Sequence, residues 1–298
     1  MLVLSQADVA GVLDTTSLID VVEAAMVDLS AGHASMPPRI GAQVADREGI
    51  LAAMPAFLPS SRALTTKLVS VFPHNEDRPT HQAVICCFDP DTGSPIALMD
   101  GTLITAMRTA AGSAVATRRL ARTDARTVAV IGTGVQSGTH VQAMHALGYD
   151  DIVVAGRSTS LSIEDAVRAA DVVCLTTHAP TPVIERAWLR PGTHVNSVGY
   201  NTQGGTGEVD ADTIRDAFVV VESRAAVFAP PPAGAVELQG VVEPDQVAEL
   251  GELPARSNDE QITVYKSVGV AVQDAAAAAH VLDAARARGL GTEVALSS

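Results

Sequence analysis

One stretch constrains this chain more than any other, the run from Arg108 to His140. In its second half Thr127-Val-Ala-Val-Ile131 reads as a strand. Gly132-Thr-Gly134-Val-Gln-Ser137 follows, and then a helix from His140 to Leu147. Strand, glycine turn and helix N-terminus in that order form the cradle that a dinucleotide pyrophosphate needs. Gly132 permits the tight turn, Gly134 lets backbone approach the phosphates, and small Ser137 allows close helix–strand packing. The glycine spacing alone is common, but the strand before it and Asp151-Ile-Val-Val-Ala155 after it give it weight. The first half predicts an Ala/Thr-rich buried helix in which Arg108 is the only charge between Asp100 and Arg118. An unpaired buried guanidinium would cost ~3–5 kcal/mol, so an anion is expected beside it.

At 298 residues the chain suits two domains, and 47% hydrophobic with 18% charged residues describes an ordinary globular protein. A net charge of −14 argues against nucleic acid or an anionic membrane as partner, so any anion must be held by local cationic pockets. Cys86, Cys87 and Cys174 are an odd set with two adjacent, which fits reduced core thiols in a cytoplasmic protein. No basic leader opens the chain and no apolar run is long enough for a bilayer. The eight histidines show no paired metal spacing, so no metal is expected, and no Gly-x-Ser-x-Gly elbow suggests a hydrolase.

In chain order, Ser5-Gln-Ala-Asp8 predicts a capped helix start, and apolar residues at 18, 19, 22, 25, 26 and 29 predict a helix over 17–29. Strands are expected near 40–45, 50–56, 63–72, 82–88 and 95–99, forming a mainly antiparallel sheet. A helix over 102–121 leads to parallel-type strands near 127–131, 152–155, 172–176, 193–198 and 218–221. The fold class is therefore α/β: a Rossmann-type doubly wound dinucleotide-binding domain plus a smaller α+β domain. Only residues 156–171 separate the second and third of the parallel strands, too few for an extra βα unit, so this domain is shortened. A short helix is expected over 244–250, then a strand from Ile262 and a long Ala-rich helix over 271–288.

Three cations are candidates for recognising a carboxylate. Lys67 lies on one strand face with Val69 and Val71, and on pattern alone it is as readily a strand-end lysine reaching water as an internal cation. Arg39 follows Pro37-Pro38 in a loop and by itself reads more readily as a surface arginine than as a ligand clamp, while Arg108 has the burial argument behind it. After the second parallel strand, Gly156-Arg157-Ser158 stands where an NAD site usually has an acidic residue. A cation and hydroxyls suit a 2′-phosphate, hence NADP(H) in preference, with NAD(H) possible.

Four ordered motifs carry a resemblance: Arg108-Thr-Ala-Ala-Gly-Ser-Ala-Val-Ala, Ile131-Gly-Thr-Gly-Val-Gln136, Asn196-Ser-Val-Gly199 and Thr263-Val-Tyr-Lys-Ser-Val-Gly269. Over nearly its whole length the chain resembles the ornithine cyclodeaminase/mu-crystallin family. The resemblance implies a homodimer, with residues 1–110 and 275–298 forming a substrate and dimerisation domain and 111–274 the Rossmann domain. It implies that Arg39, Lys67 and Arg108 surround a substrate carboxylate, with Lys67 as acid/base or clamp. Thr80, Arg108 and Thr109 would contact the cofactor, Gly132, Gly134, Val135 and Gln136 its pyrophosphate, Arg157 and Ser158 its adenosine half. Thr176 and Val198 would lie along it, and Ser267 would hold the nicotinamide carboxamide. Three departures stand out: Asn201 where the cyclodeaminases carry an aspartate proton shuttle, Gly205 where a lysine is expected, and the shortened segment after Arg157. The implied activity is NAD(P)H-dependent oxidoreduction at the C–N bond of an α-imino or α-amino acid. The alternatives are a cyclodeaminase and a crystallin-like ligand-binding protein without turnover.

Overall fold

The computed structural model describes residues 1–199, 205–231 and 233–296. Its elements run β1 (Leu2–Leu4), α1 (Gln6–Val12), α2 (Thr15–Ser30), β2 (Ile40–Val44), β3 (Gly49–Leu58), β4 (Ala63–Val71), β5 (His81–Phe88), β6 (Pro95–Asp100) and α3 (Thr102–Leu120). They continue β7 (Thr127–Ile131), α4 (Val135–Ala146), β8 (Asp151–Ala155), α5 (Ile163–Ala169), β9 (Val172–Leu175), β10 (His194–Ser197) and α6 (Ala211–Asp216). The last are β11 (Phe218–Val221), α7 (Arg224–Val227), β12 (Ala248–Glu249), β13 (Thr263–Lys266), α8 (Ala271–Arg288) and β14 (Thr292–Glu293). The chain divides into two compact units, Met1–Arg108 with Val270–Ser298, and Thr109–Gly269. Arg108 and Thr109, adjacent on α3, mark the division.

The first unit is built on a sheet of order β14-β1-β6-β5-β4-β3-β2, antiparallel except where β1 runs parallel to β6. Its entry helix is capped as expected: Ser5 accepts from the Asp8 amide and Asp8 from that of Ser5. The buried stripe of α2, including Leu18, Ile19, Val22 and Met26, packs on α8, which also lies over β3 and β4. Alanines along α8 let its backbone come close to the sheet, so even its polar residues Gln273 and Asp274 are buried. On β4 the alternation buries Ala63, Thr65 and Lys67 on the covered face. Lys67 is the fifth of nine strand residues, which removes the strand-end reading.

The second unit is a parallel sheet of order β12-β11-β13-β10-β9-β7-β8. Near-continuous Val/Ile/Leu/Ala runs in β7, β9 and β11 reflect strands covered on both faces. β7 pairs with both β8 and β9, so the chain returns across β7 after only one flanking strand. The seven-residue α5 is all that the shortened segment forms, and β8 is left as an edge strand with Val153 and Val154 more than one-third exposed. The helix expected over 244–250 is instead a single 3-10 turn, Pro244–Gln246, followed by the short strand β12. Its residues pair with β11, and tertiary pairing outweighs the weak local helix signal. Among the described residues no helix is long and apolar enough to cross a membrane, and no cluster of three His, Cys, Asp or Glu side chains is placed to hold a metal.

Candidate functional site

In the first unit, three elements deliver charge to one buried point. β4 supplies Lys67, α3 supplies Arg108 from its first two turns, and α8 supplies Gln273 and Asp274 from its first turn. Lys67 Nζ lies 2.7 Å from Asp274 Oδ2, and Arg108 Nε donates to Asp274 Oδ1 at 2.9 Å. Arg108 Nη1 donates to Gln273 Oε1 at 3.0 Å, and Lys67 Nζ also donates to Thr105 Oγ1 at 3.4 Å. Lys67 is 2%, Arg108 4% and Asp274 1% exposed, so this is an ion cluster taken out of water.

The expectation of an anion beside Arg108 is thus met by the protein itself, and the reading of Arg108 as a lone charge awaiting a ligand is corrected. Asp274 was the residue that sequence reasoning missed. Its signal was the same one that singled out Arg108: it is the only charged residue between Lys266 and Asp283, in a helix of small apolar residues. Two buried cations share one carboxylate, so among the described residues of this cluster one positive charge stays in excess.

Burial pushes the Lys67 ammonium down to about 8; Asp274 opposes this, while the nearby Arg108 and Arg39 charges add to it. Arg39, half-buried in the loop before β2, is therefore close enough to be felt at Lys67. Burial acts to raise the Asp274 carboxyl, but Lys67 and Arg108 outweigh it and hold the group below the ordinary carboxylate range. The result is a charged acceptor beside an ammonium that can give up its proton near neutral pH. Thr80, half-buried at the end of the β4–β5 loop, is bonded through Oγ1 to His81 Nδ1 at 3.0 Å and is not among the partners of this cluster.

In the second unit, the turn after β7 has the form its sequence predicts. Gly132 has φ +127°, and a Cβ there would stand 2.6 Å from Thr176 Oγ1, so only glycine fits. Gly134 is the N-cap of the twelve-residue α4 and offers no side-chain cap to its first amides. A Cβ on Gly134 would meet nothing within 4 Å, so the fold itself leaves that space open. Val135, next in line, is 75% exposed, and Ser137 is buried against the sheet. A helix N-terminus with open amides and a bare glycine is a fitting cradle for a pyrophosphate.

Thr176, Val198, Arg157, Ser158 and Ser267 follow the C-terminal ends of strands of the same sheet. Thr176 is buried and donates from Oγ1 to Ile131 O at 2.9 Å, and Val198 follows β10 with its amide on Leu175 O. Arg157 and Ser158 are exposed on the turn after β8, where Gly156 N donates to Thr159 Oγ1. Thr109 is buried on α3. Ser267, just past β13, donates from Oγ to Glu222 Oε1 at 2.9 Å. Gly205 has φ +120° and a Cβ there would meet Pro180 O at 2.2 Å, so the expected lysine is excluded by backbone geometry. Asn201 lies outside the described residues.

The model of the ornithine cyclodeaminase/mu-crystallin family matches residues 1–160 and 150–289. Ketimine reductase mu-crystallin of Mus musculus is 35% identical over 306 residues, 94% of this chain and 96% of its own. The Thermococcus litoralis Delta(1)-pyrroline-2-carboxylate reductase, solved with NADH and L-proline, superposes with a TM-score of 0.89 at 34% identity, covering 99% of this chain and 100% of that one. An archaeal alanine dehydrogenase dimer with bound NAD gives a TM-score of 0.89 at 28% identity, covering 100% and 99%.

Proposed function

This chain belongs to the ornithine cyclodeaminase/mu-crystallin family, and from that premise we propose that it is an NAD(P)H-dependent reductase of α-imino acids. The observation that carries this reading is the excess positive charge of the buried Lys67–Asp274–Arg108 cluster, which calls for an anionic ligand. A substrate carboxylate supplies that anion, with the Arg108 and Arg39 forks as its clamp. The cofactor, when bound, supplies a hydride to the carbon of the C=N bond. Gly132, Gly134, Val135 and Gln136 would hold its pyrophosphate, with Thr80, Thr109, Thr176, Val198 and Ser267 along its length.

Reduction of an imine needs one proton besides the hydride. Lys67 would deliver it to the substrate nitrogen, and a pKa near 8 makes it a usable acid at neutral pH. Asp274 keeps the ammonium protonated against the cost of burial, then stabilises the site while the proton is regained from solvent. Cyclodeamination makes heavier demands: hydrolysis, amine attack and ammonia loss each move protons, and an amide at Asn201 cannot exchange one as a carboxylate can. The relatives named as a ketimine reductase and a Delta(1)-pyrroline-2-carboxylate reductase favour the same choice.

Arg157 and Ser158 favour NADP(H), since they offer a cation and a hydroxyl where a ribose 2′-phosphate would lie. The dimeric archaeal alanine dehydrogenase supports a homodimer, and three free thiols suit the reducing cytoplasm. An ammonia assay separates the branches. The chain is expected to oxidise NADPH with a five- or six-membered cyclic imino acid and to release no ammonia from ornithine or lysine. Rapid ammonia release with proline formation would overturn the reductase reading.

A further inference from the structure

Glu222 is fully buried, one residue past β11, and its two oxygens take three hydrogen bonds. Oε2 accepts from the amides of Val268 and Gly269 at 2.9 and 2.8 Å, and Oε1 accepts from the Ser267 hydroxyl at 2.9 Å. Among the described residues no lysine or arginine forms an ion pair with it. A glutamine of the same shape could meet the same three groups. Its oxygen would accept both amides and its NH2 would donate to Ser267 Oγ. What the carboxylate does that an amide would not is fix the direction of the third bond. Glu222 as a carboxylate has no proton to give, so the single hydroxyl proton of Ser267 must point at it. Ser267 is left with lone pairs only.

Where those lone pairs act follows from the sheet order. A dinucleotide with its pyrophosphate at the turn after β7 sends its adenosine toward β8 on one side. Its nicotinamide half must then pass over the ends of β9, β10 and β13 on the other. Ser267 caps β13 there, with its amide on Ser197 O at 2.9 Å. We infer that Glu222 is a specificity-determining residue: by making Ser267 an acceptor only, it selects the NH2 of a nicotinamide carboxamide and rejects the carboxylate of a nicotinic acid dinucleotide. This rests on the reading that the second unit holds a nicotinamide cofactor with Ser267 at its carboxamide.

The test compares NADPH with reduced nicotinic acid adenine dinucleotide phosphate, each titrated against the full chain by dihydropyridine fluorescence. The wild type is expected to bind the nicotinic acid form at least ~100-fold more weakly, because an acceptor would face a carboxylate. In Glu222→Gln the amide NH2 donates to Ser267, the hydroxyl proton is freed to point at the ligand, and the ratio should fall below ~10-fold. Ser267→Ala should also lose most of the discrimination, and it carries the same test should Glu222→Gln not fold. If Glu222 only braces the turn after β13, Glu222→Gln weakens both dinucleotides by one factor and the ratio stays, which overturns the inference. A wild-type ratio near one, or a Ser267→Ala ratio equal to that of the wild type, also overturns it while leaving the cofactor reading intact. Failure of the wild type to bind either dinucleotide overturns that reading and this inference together.

Discussion

Asp274→Asn exchanges one oxygen of the carboxylate shared by Lys67 and Arg108 for an NH2 group and keeps the side chain's shape. The amide oxygen can still accept from Arg108 Nε, now 2.9 Å from Asp274 Oδ1, but the NH2 would then face the Lys67 ammonium, donor against donor. Removing the partner of a buried ion pair costs ~3–5 kcal/mol. Against a typical stability of about 5–15 kcal/mol, that predicts a fall in Tm of roughly 5–15 °C by circular dichroism. The same change acts on catalysis. Burial pushes Lys67 down to about 8, and Asp274 is what opposes it, so the variant's ammonium loses its proton at lower pH still. With Lys67 as the proposed acid, activity is expected to fall as pH rises through its pKa. A loss of about 3 kcal/mol moves that alkaline limb down by ~2 pH units and slows turnover at neutral pH by about tenfold. The pH–rate profile of NADPH oxidation with a cyclic imino acid reads this directly. A variant with the wild-type Tm and an unmoved alkaline limb would refute the reasoning.

Two further substitutions test the cofactor half. Arg157→Ala should weaken NADPH binding by about tenfold or more and scarcely change NADH in calorimetric titration, and equal effects on both would remove the basis for an NADP preference. Gly132→Ala places a Cβ 2.6 Å from Thr176 Oγ1 at φ +127°. It should lower stability by ~1–3 kcal/mol and weaken dinucleotide binding, whereas a melt and a titration matching the wild type would show the turn to be more tolerant than its geometry implies.

The parallel sheet, the glycine turn and the long C-terminal helix were legible because each has a local cause. Runs of Val, Ile and Ala set the strands, Gly132 the turn, and the break at Gly289, φ +63°, ends α8 after Arg288. The shortening after β8 could be counted in residues. The site was only half legible. Arg108 was conspicuous as one charge in an apolar helix, yet its partner Asp274 lies 166 positions away. Local periodicity carries no information on which distant lone charges meet. Lys67 was ambiguous for a related reason: strand alternation gives a face, and whether that face is covered depends on where α8 packs. Glu222 drew no notice because an acidic residue after a strand ordinarily reads as a loop charge, and the Val268 and Gly269 amides that it accepts from lie more than forty positions away in sequence.

The central claim is that buried cations recognise a carboxylate beside a reducible C=N bond. Initial rates of NADPH oxidation with Delta(1)-pyrroline-2-carboxylate and with 1-pyrroline, which differ only in that carboxylate, test it most directly. Stoichiometric proline formation is expected from the first and a kcat/KM lower by ~10³-fold or more from the second, since the excess charge around Lys67 and Arg108 would be left without its anion. Comparable rates with both imines, or no oxidation of the cofactor by either, would contradict it.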